Sequence, residues 1–199
     1  MTWAIFSDEH LRAIGEMIQS GSERVTAIVG GAFLDDTLQR TLAERLRNDK
    51  DIAKKLFKPS GALGNTRPKI DMLFMLSACE KPTRNAMYGI AEVRNFFAHN
   101  LDASFASEKK EMVEALAKLK LHDGRTHYPH HMFRRDNVED KHRIEPIANG
   151  RDKFIVNLKL CLIALMQDRV SHVTHSHEPR TEEEIREVLR KQDPGEAAP

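Results

Sequence analysis

One segment of the sequence, residues 92–99, combines three residue types that could act together on a phosphodiester. Arg94 is a permanent cation whose planar fork suits phosphate oxygens. His99 can accept or donate a proton near neutral pH, and Asn95 adds a neutral donor and acceptor. The histidine could assist attack by a ribose 2′-OH or protonate the leaving oxygen, while the arginine stabilises the growing charge. The set therefore indicates metal-independent cleavage of RNA as one candidate chemistry.

The element that must position these residues is a helix predicted from Pro82 to about His99. On a wheel of 3.6 residues per turn, the apolar face toward the core consists of Ala86, Ile90, Val93 and Phe97. A polar stripe on the opposite side consists of Tyr88, Glu92, Asn95 and His99. Arg94 precedes His99 by five residues, a rotation of about 140° and a rise of about 7.5 Å, so the two side chains diverge. A second copy facing the first would build a better site, and we therefore expect a homodimer.

The same helix has a purely structural interpretation. A polar stripe opposite a core face is usually a solvated surface. His99 lies near the helix C-terminus, where a cation interacts well with the helix dipole, and Asn100 is a plausible left-handed cap. Spacing alone does not decide between the two interpretations.

The rest of the chain predicts an all-α fold, a compact helical bundle. Helical periodicity dominates, with helices expected at 22–48, 51–57, 82–99 and 151–170, one capped by Thr66, one capped by Ser107 and one starting at Ser7. The core side of the long helix is predicted to be Val25, Ile28, Val29, Ala32, Phe33, Leu38, Leu42 and Leu46. Gly30 and Gly31 lie inside that helix, which indicates close helix packing. We expect one domain over 1–178 with an irregular loop at 122–150, then a short charged helix and tail over 179–199.

Composition excludes several function classes. The formal net charge of +1 provides no global field toward nucleic acid or an anionic membrane. The N-terminus lacks the basic region and apolar run of a signal peptide, and residues 154–166 are too short to span a bilayer. Cys79 and Cys161 lie in apolar helical patterns, as buried thiols in a reducing compartment do. We therefore expect a cytoplasmic protein that does not associate with membranes.

A local excess of positive charge lies between Arg40 and Lys69, with nine basic and three acidic residues. Five of the basic residues flank a loop that contains glycine, where a polyanion could dock: Lys54, Lys55, Lys58, Arg67 and Lys69. Solvated lysines on short helices are the alternative interpretation. The ten histidines show no metal-ligand spacing with Cys or carboxylate support, so we expect neither a metal nor a cofactor.

The pattern Arg94-Asn95-x-x-x-His99 resembles the signature of the HEPN superfamily. Members are small helical bundles, often dimeric, and many are metal-independent endoribonucleases. The resemblance implies that Arg94, Asn95 and His99 line a cleft at a dimer interface.

A longer resemblance covers about residues 20–120. The stretches Gly61-Ala62-Leu63-Gly64, Lys69-Ile70-Asp71-Met72-Leu73-Phe74-Met75-Leu76, Phe97-Ala98-His99-Asn100 and Ser104-Phe105 are similar in order and spacing to the mannitol operon repressor family. This resemblance implies an all-helical regulator of carbohydrate-uptake genes, and the sequence itself shows no recognisable helix-turn-helix spacing and no basic recognition helix. We therefore expect a transcriptional regulator that acts through protein partners and does not bind specific DNA directly. The alternative is a HEPN-type metal-independent endoribonuclease with RNA as its partner.

Overall fold

The computed structural model describes residues 21–47, 49–121, 125–128, 143–147 and 149–175. These residues form mainly α-helix, which confirms the all-α prediction at the level of fold class. In chain order the helices are α1 (Glu23–Arg45), α2 (Lys50–Phe57), α3 (Thr66–Met75), α4 (Lys81–His99), α5 (Lys110–Ala117) and α6 (Gly150–His175). None of the helices in the described ranges combines the length and apolar character needed to cross a membrane.

Helix α1 begins where the sequence predicts, because the Ser22 hydroxyl accepts a hydrogen bond from the Val25 amide at 3.3 Å. Its predicted core side is partly wrong. Val25 and Ala32 are exposed, whereas Thr26 and Leu34 are fully buried. The cause is that α1 packs on more than one helix, so the buried surface is wider than one apolar stripe.

The two glycines of α1 lie at these helix contacts. A Cβ added at Gly30 would lie 2.9 Å from side-chain atoms of both Phe154 and Leu158 in α6. A Cβ added at Gly31 would lie 2.4 Å from the Cγ of Arg94 in α4. The prediction that both glycines permit close packing is therefore confirmed.

Helix α4 buries the apolar face that its periodicity predicts, and all four residues of that face are fully buried: Ala86, Ile90, Val93 and Phe97. The Phe97 ring lies 4.8 Å from that of Phe105, which in turn lies 5.5 Å from the Phe154 ring. This aromatic row joins α4 to the segment after it and to α6. Both helices therefore contribute to the core.

Two predicted helix caps are corrected. Helix α3 has Asn65 at its N-cap, and the hydroxyl of Thr66 instead donates to Asp35 of α1 at 2.8 Å. Helix α5 starts at Lys110, and Ser107 accepts from the Lys109 amide just before the helix. In both cases the hydroxyl forms a different hydrogen bond from the one predicted at the N-cap.

The region 122–150, predicted to be irregular, contains two short antiparallel strands, β1 (Arg125–Tyr128) and β2 (Arg143–Pro146). Arg125 pairs with Pro146, and Tyr128 pairs with Arg143. This correction has a simple reason, since strands of four residues give too little alternation to recognise.

The chain divides into two compact units, 1–169 and 170–199. The described part of the second unit is residues 170–175, which are helical, so α6 continues beyond its predicted end at residue 170. The predicted helix at Ser7 and the charged helix and tail at 179–199 lie outside the described residues.

Candidate functional site

Arg94 is an exposed side chain whose position is nevertheless constrained. Its aliphatic stem packs on Gly31, where an added Cβ would come within 2.6 Å of the Arg94 Cβ. Its guanidinium donates to the side-chain oxygen of Asn95 at 3.1 Å. Among the described residues, no carboxylate lies within ion-pair distance of this guanidinium. The structure therefore presents a positioned cation whose charge a neighbouring carboxylate does not offset.

Arg94 and Asn95 border a cleft of about 720 Å³ between α1, the start of α3, and α4, which we name the arginine cleft. Its charged residues are Asp35, Asp36, Arg67 and Arg94. Three of them have ion-pair partners: Asp35 pairs with Lys69, Asp36 with Arg40, and Arg67 with Glu92, at 2.6–2.8 Å. Arg94 is thus the cation of this cleft that remains open to an incoming anion.

His99 is the last residue of α4 and is exposed. It borders a second, smaller cleft of about 370 Å³, the histidine cleft, together with Glu92, Asn95, Phe96, Asn100, Glu111 and Glu114. Asn95 borders both clefts. Arg94 and His99 of one chain therefore face different clefts that meet at Asn95, which agrees with the divergence expected from helix geometry.

The C-terminal end of α4 is secured by a residue that sequence reasoning missed. The guanidinium of Arg24, in α1, donates to the backbone carbonyls of Phe97, Asn100 and Leu101, the last two at 2.7 Å. The proposed left-handed cap at Asn100 is wrong, because its φ is −122°. The Asn100 side chain donates to the Phe96 carbonyl at 2.9 Å. No local signal could have identified Arg24, which lies more than 70 residues earlier in the chain.

The first two residues of the predicted polar stripe bind neighbouring helices. The Tyr88 hydroxyl donates to Asp71 of α3, and both burial and this hydrogen bond raise the pKa of Tyr88. Glu92 accepts from Arg67 of α3 at 2.6 Å and from Lys118, at the end of α5, at 2.5 Å. The stripe is thus not uniformly solvated. Its exposed part is Asn95 and His99, and Tyr88 and Glu92 connect helices.

The five basic residues predicted to bind a polyanion are not equivalent. Lys54, Lys55 and Lys58 are exposed. Arg67 is exposed but paired with Glu92. Lys69 is only 2% exposed and pairs with Asp35, so its ammonium group does not belong to a surface that a polyanion can reach. Polyanion binding by the other four residues stays a prediction.

Within the described part of the chain, no three His, Cys, Asp or Glu side chains are grouped so that they could hold a metal ion. The arrangement around Arg94, Asn95 and His99 offers a fixed cation, a neutral hydrogen-bonding group and a proton carrier on one exposed end of a helix.

Comparisons with known proteins give no assignment: no family model, no curated protein and no solved structure matches the chain.

Proposed function

We propose that the chain is a cytoplasmic regulatory protein similar to the mannitol operon repressor family, built as a HEPN-like bundle. It acts on transcription of carbohydrate-uptake genes through a protein partner and does not read DNA directly. The observation that carries this proposal is a pair of exposed methionines on the surface of α3. Met72 and Met75 are 38% and 76% exposed, and a spacing of three residues puts them on one side of the helix.

Charge supports the same proposal. Lys69 is buried against Asp35, and the charge of Arg67 is offset by Glu92, so α3 presents little free positive charge to a phosphate backbone. Exposed methionines are typical of surfaces that adapt to a protein partner, because the thioether side chain is flexible and polarisable. We expect the partner to cover Met75.

A gel shift tests the DNA half of this proposal. At physiological salt, the purified protein should form no specific complex with a promoter fragment at about 10⁻⁸ M, an affinity that specific DNA-binding proteins typically reach. A complex of such affinity that weakens in a Lys54→Ala/Lys55→Ala variant would instead identify α2 as a DNA-contacting element and refute the proposal.

A reporter gene tests the partner half. Met75→Glu should abolish regulation in cells, because it places a charge in the proposed contact. Val113→Glu is the matched control, since Val113 is also exposed, at 53%, but lies on α5. Equal loss in both variants, or in neither, would contradict a partner surface on α3.

A second candidate function is a HEPN-type metal-independent endoribonuclease. It is favoured by the seating of Arg94 on Gly31 and the exposure of Arg94, Asn95 and His99 together. In this reaction the 2′-oxygen of a ribose bonds to the adjacent phosphorus, and the bond from phosphorus to the 5′-oxygen breaks. His99 accepts the proton of the 2′-OH, a water molecule donates a proton to the leaving 5′-oxygen, and Arg94 stabilises the charge on the phosphorane. The products are a 2′,3′-cyclic phosphate and a 5′-hydroxyl.

This candidate requires a homodimer, because Arg94 and His99 of one chain border different clefts. A second copy would bring the histidine of one chain toward the arginine of the other. Light scattering at tens of micromolar protein should show a dimer. A strict monomer would remove the composite site.

The activity assay uses single-stranded RNA with a chelator present. Wild-type protein should release products with a cyclic phosphate. His99→Ala should abolish cleavage, and Arg94→Ala should reduce it about 10²–10³-fold, the usual cost of removing one charge stabiliser. Lys110→Ala, at an exposed position on α5, is the control and should cleave normally. Intact RNA with wild-type protein would eliminate the ribonuclease function.

A further inference from the structure

We propose that α1 is the positioning element of the Arg94–His99 set: Gly31 holds the side chain of Arg94, and Arg24 holds the backbone on both sides of His99. The functional value of this positioning rests on the proposed ribonuclease function. The positioning itself can be measured without activity.

The first contact is steric. An added Cβ at Gly31 would lie 2.4 Å from Cγ and 2.6 Å from Cβ of Arg94, closer than carbon atoms in contact can approach. The stem of Arg94 therefore lies directly on the backbone of α1, where only glycine leaves enough space. The guanidinium at the other end of this exposed side chain donates a hydrogen bond to Asn95.

The second contact is polar. The last carbonyls of a helix have no partner within the helix, and a cation is favourable beside them. Arg24 satisfies the carbonyls of Phe97, Asn100 and Leu101, one of which precedes His99 and two of which follow it. Its neighbour Glu23 accepts from the Phe105 amide at 3.1 Å. The first turn of α1 thus secures the chain on both sides of His99, although the imidazole is exposed.

The spacing of the two contacts suits one rigid element. Arg24 and Gly31 are seven residues apart, which is about 10.5 Å along the helix and within about 20° of the same direction. As α1 runs from Arg24 to Gly31, its contacts run back from residues 97–101, at and just after the end of α4, to residue 94. The two helices are therefore antiparallel at this contact. One face of α1 supports both ends of the set, so a shift of α1 would move Arg94 and His99 together.

Two variants on α1 disrupt these contacts, and each has a matched control on the same helix. Gly31→Ala drives a methyl group into Arg94, whereas Gly30→Ala presses on Phe154 and Leu158 in the core. Arg24→Ala removes the donors to the end of α4. Arg45→Ala removes a comparable bond at the end of α3, where Arg45 donates to the Leu76 carbonyl at 3.1 Å. Arg24→Lys keeps the charge and part of the hydrogen bonding.

The primary measurement is NMR of the full chain, free of RNA. The imidazole signal of His99 is assigned with His99→Gln, and the Nε–H signal of Arg94 is assigned with Arg94→Lys. We expect Arg24→Ala to shift and broaden the His99 signal, Arg24→Lys to restore most of it, and Arg45→Ala to leave it unchanged. Gly31→Ala should shift the Arg94 signal, and Gly30→Ala should not.

RNA cleavage is the second measurement. Arg24→Ala and Gly31→Ala should each lower kcat about 10²-fold with little change in KM, because a misplacement of about 1 Å can cost that much. If wild-type protein does not cleave RNA, the ribonuclease proposal fails and the NMR comparison still tests the positioning. If His99 and Arg94 signals respond no more to the α1 variants than to their controls, the positioning role is wrong. If Arg24→Ala does not fold, Gly31→Ala and Arg24→Lys replace it as the test. An unchanged Arg94 signal in Gly31→Ala then overturns the inference.

Discussion

Removing the carboxylate of Asp35 should destabilise the protein far more than removing the ammonium of Lys69, although the two groups form a single ion pair. The Lys69 ammonium lies 2.7 Å from the Asp35 carboxylate. Their exposures differ, since the lysine side chain is 2% exposed and the aspartate side chain is 34% exposed. Asp35→Ala therefore leaves a buried charge without its partner. Lys69→Met leaves a carboxylate that water can reach and that still accepts from Thr66.

The expected magnitudes follow from this asymmetry. Leaving a buried charge unpaired costs about 3–5 kcal/mol. For a chain of this length, that lowers Tm by roughly 6–20 °C, at about 2–4 °C per kcal/mol. Lys69→Met replaces a buried ammonium with an apolar side chain of similar length, so we expect a change of less than about 1 kcal/mol. Combining both substitutions should restore most of the stability lost in Asp35→Ala.

The assay is urea unfolding followed by far-ultraviolet circular dichroism, with the free energy of unfolding compared among variants. Asp36→Ala is the matched control, because Asp36 pairs with Arg40 one helical turn away and both side chains are nearly half exposed. Its loss should stay below about 0.5 kcal/mol. Equal losses for Asp35→Ala and Lys69→Met, or a larger loss for Lys69→Met, would refute the reasoning from burial.

Three further predictions concern the core. Burial lowers the pKa of Lys159 to about 8 from 10.5, so between these pH values the unfolded chain binds more protons than the folded protein. The free energy of unfolding should therefore rise with pH by up to about 3 kcal/mol over this range. Urea unfolding at several pH values should show a flatter rise in Lys159→Met, and an unchanged slope would contradict this. Burial, with a smaller effect of the Cys79 charge, raises the pKa of Cys161, so a thiol reagent should label Cys79 well before Cys161, as peptide mass mapping can show. Phe97→Ala should cost about 3–5 kcal/mol by urea unfolding, because Phe97 is fully buried, and a loss below 1 kcal/mol would show that the core can collapse around it.

Local patterns predict the helix that carries the candidate site. The spacing of Ala86, Ile90, Val93 and Phe97 identifies four fully buried residues of α4, although the buried surface also includes Met87 and Phe96. The divergence of Arg94 and His99 follows from the same geometry. The equivalent prediction for α1 partly fails at Val25 and Ala32, because periodicity does not show which sides of a helix its neighbours cover.

Long-range contacts were beyond such patterns. Lys69 and Asp35 are 34 residues apart in the sequence, and nothing near either residue indicates that they pair. The contacts of Arg24 are equally hard to predict, because its acceptors are backbone carbonyls, which every residue carries. The sequence shows which residues are charged, but their burial and pairing depend on contacts between distant parts of the chain.

The attachment of Arg24 to the end of α4 also bears on local opening. Terminal turns of helices usually fray, and their amides exchange hydrogen with water far faster than those of the helix centre. Here three carbonyls after residue 96 are bound to a side chain of another helix. The last turn of α4 should therefore open only together with the first turn of α1. The end of the helix that carries His99 would then belong to the slowly exchanging part of the protein, although the imidazole itself is in water.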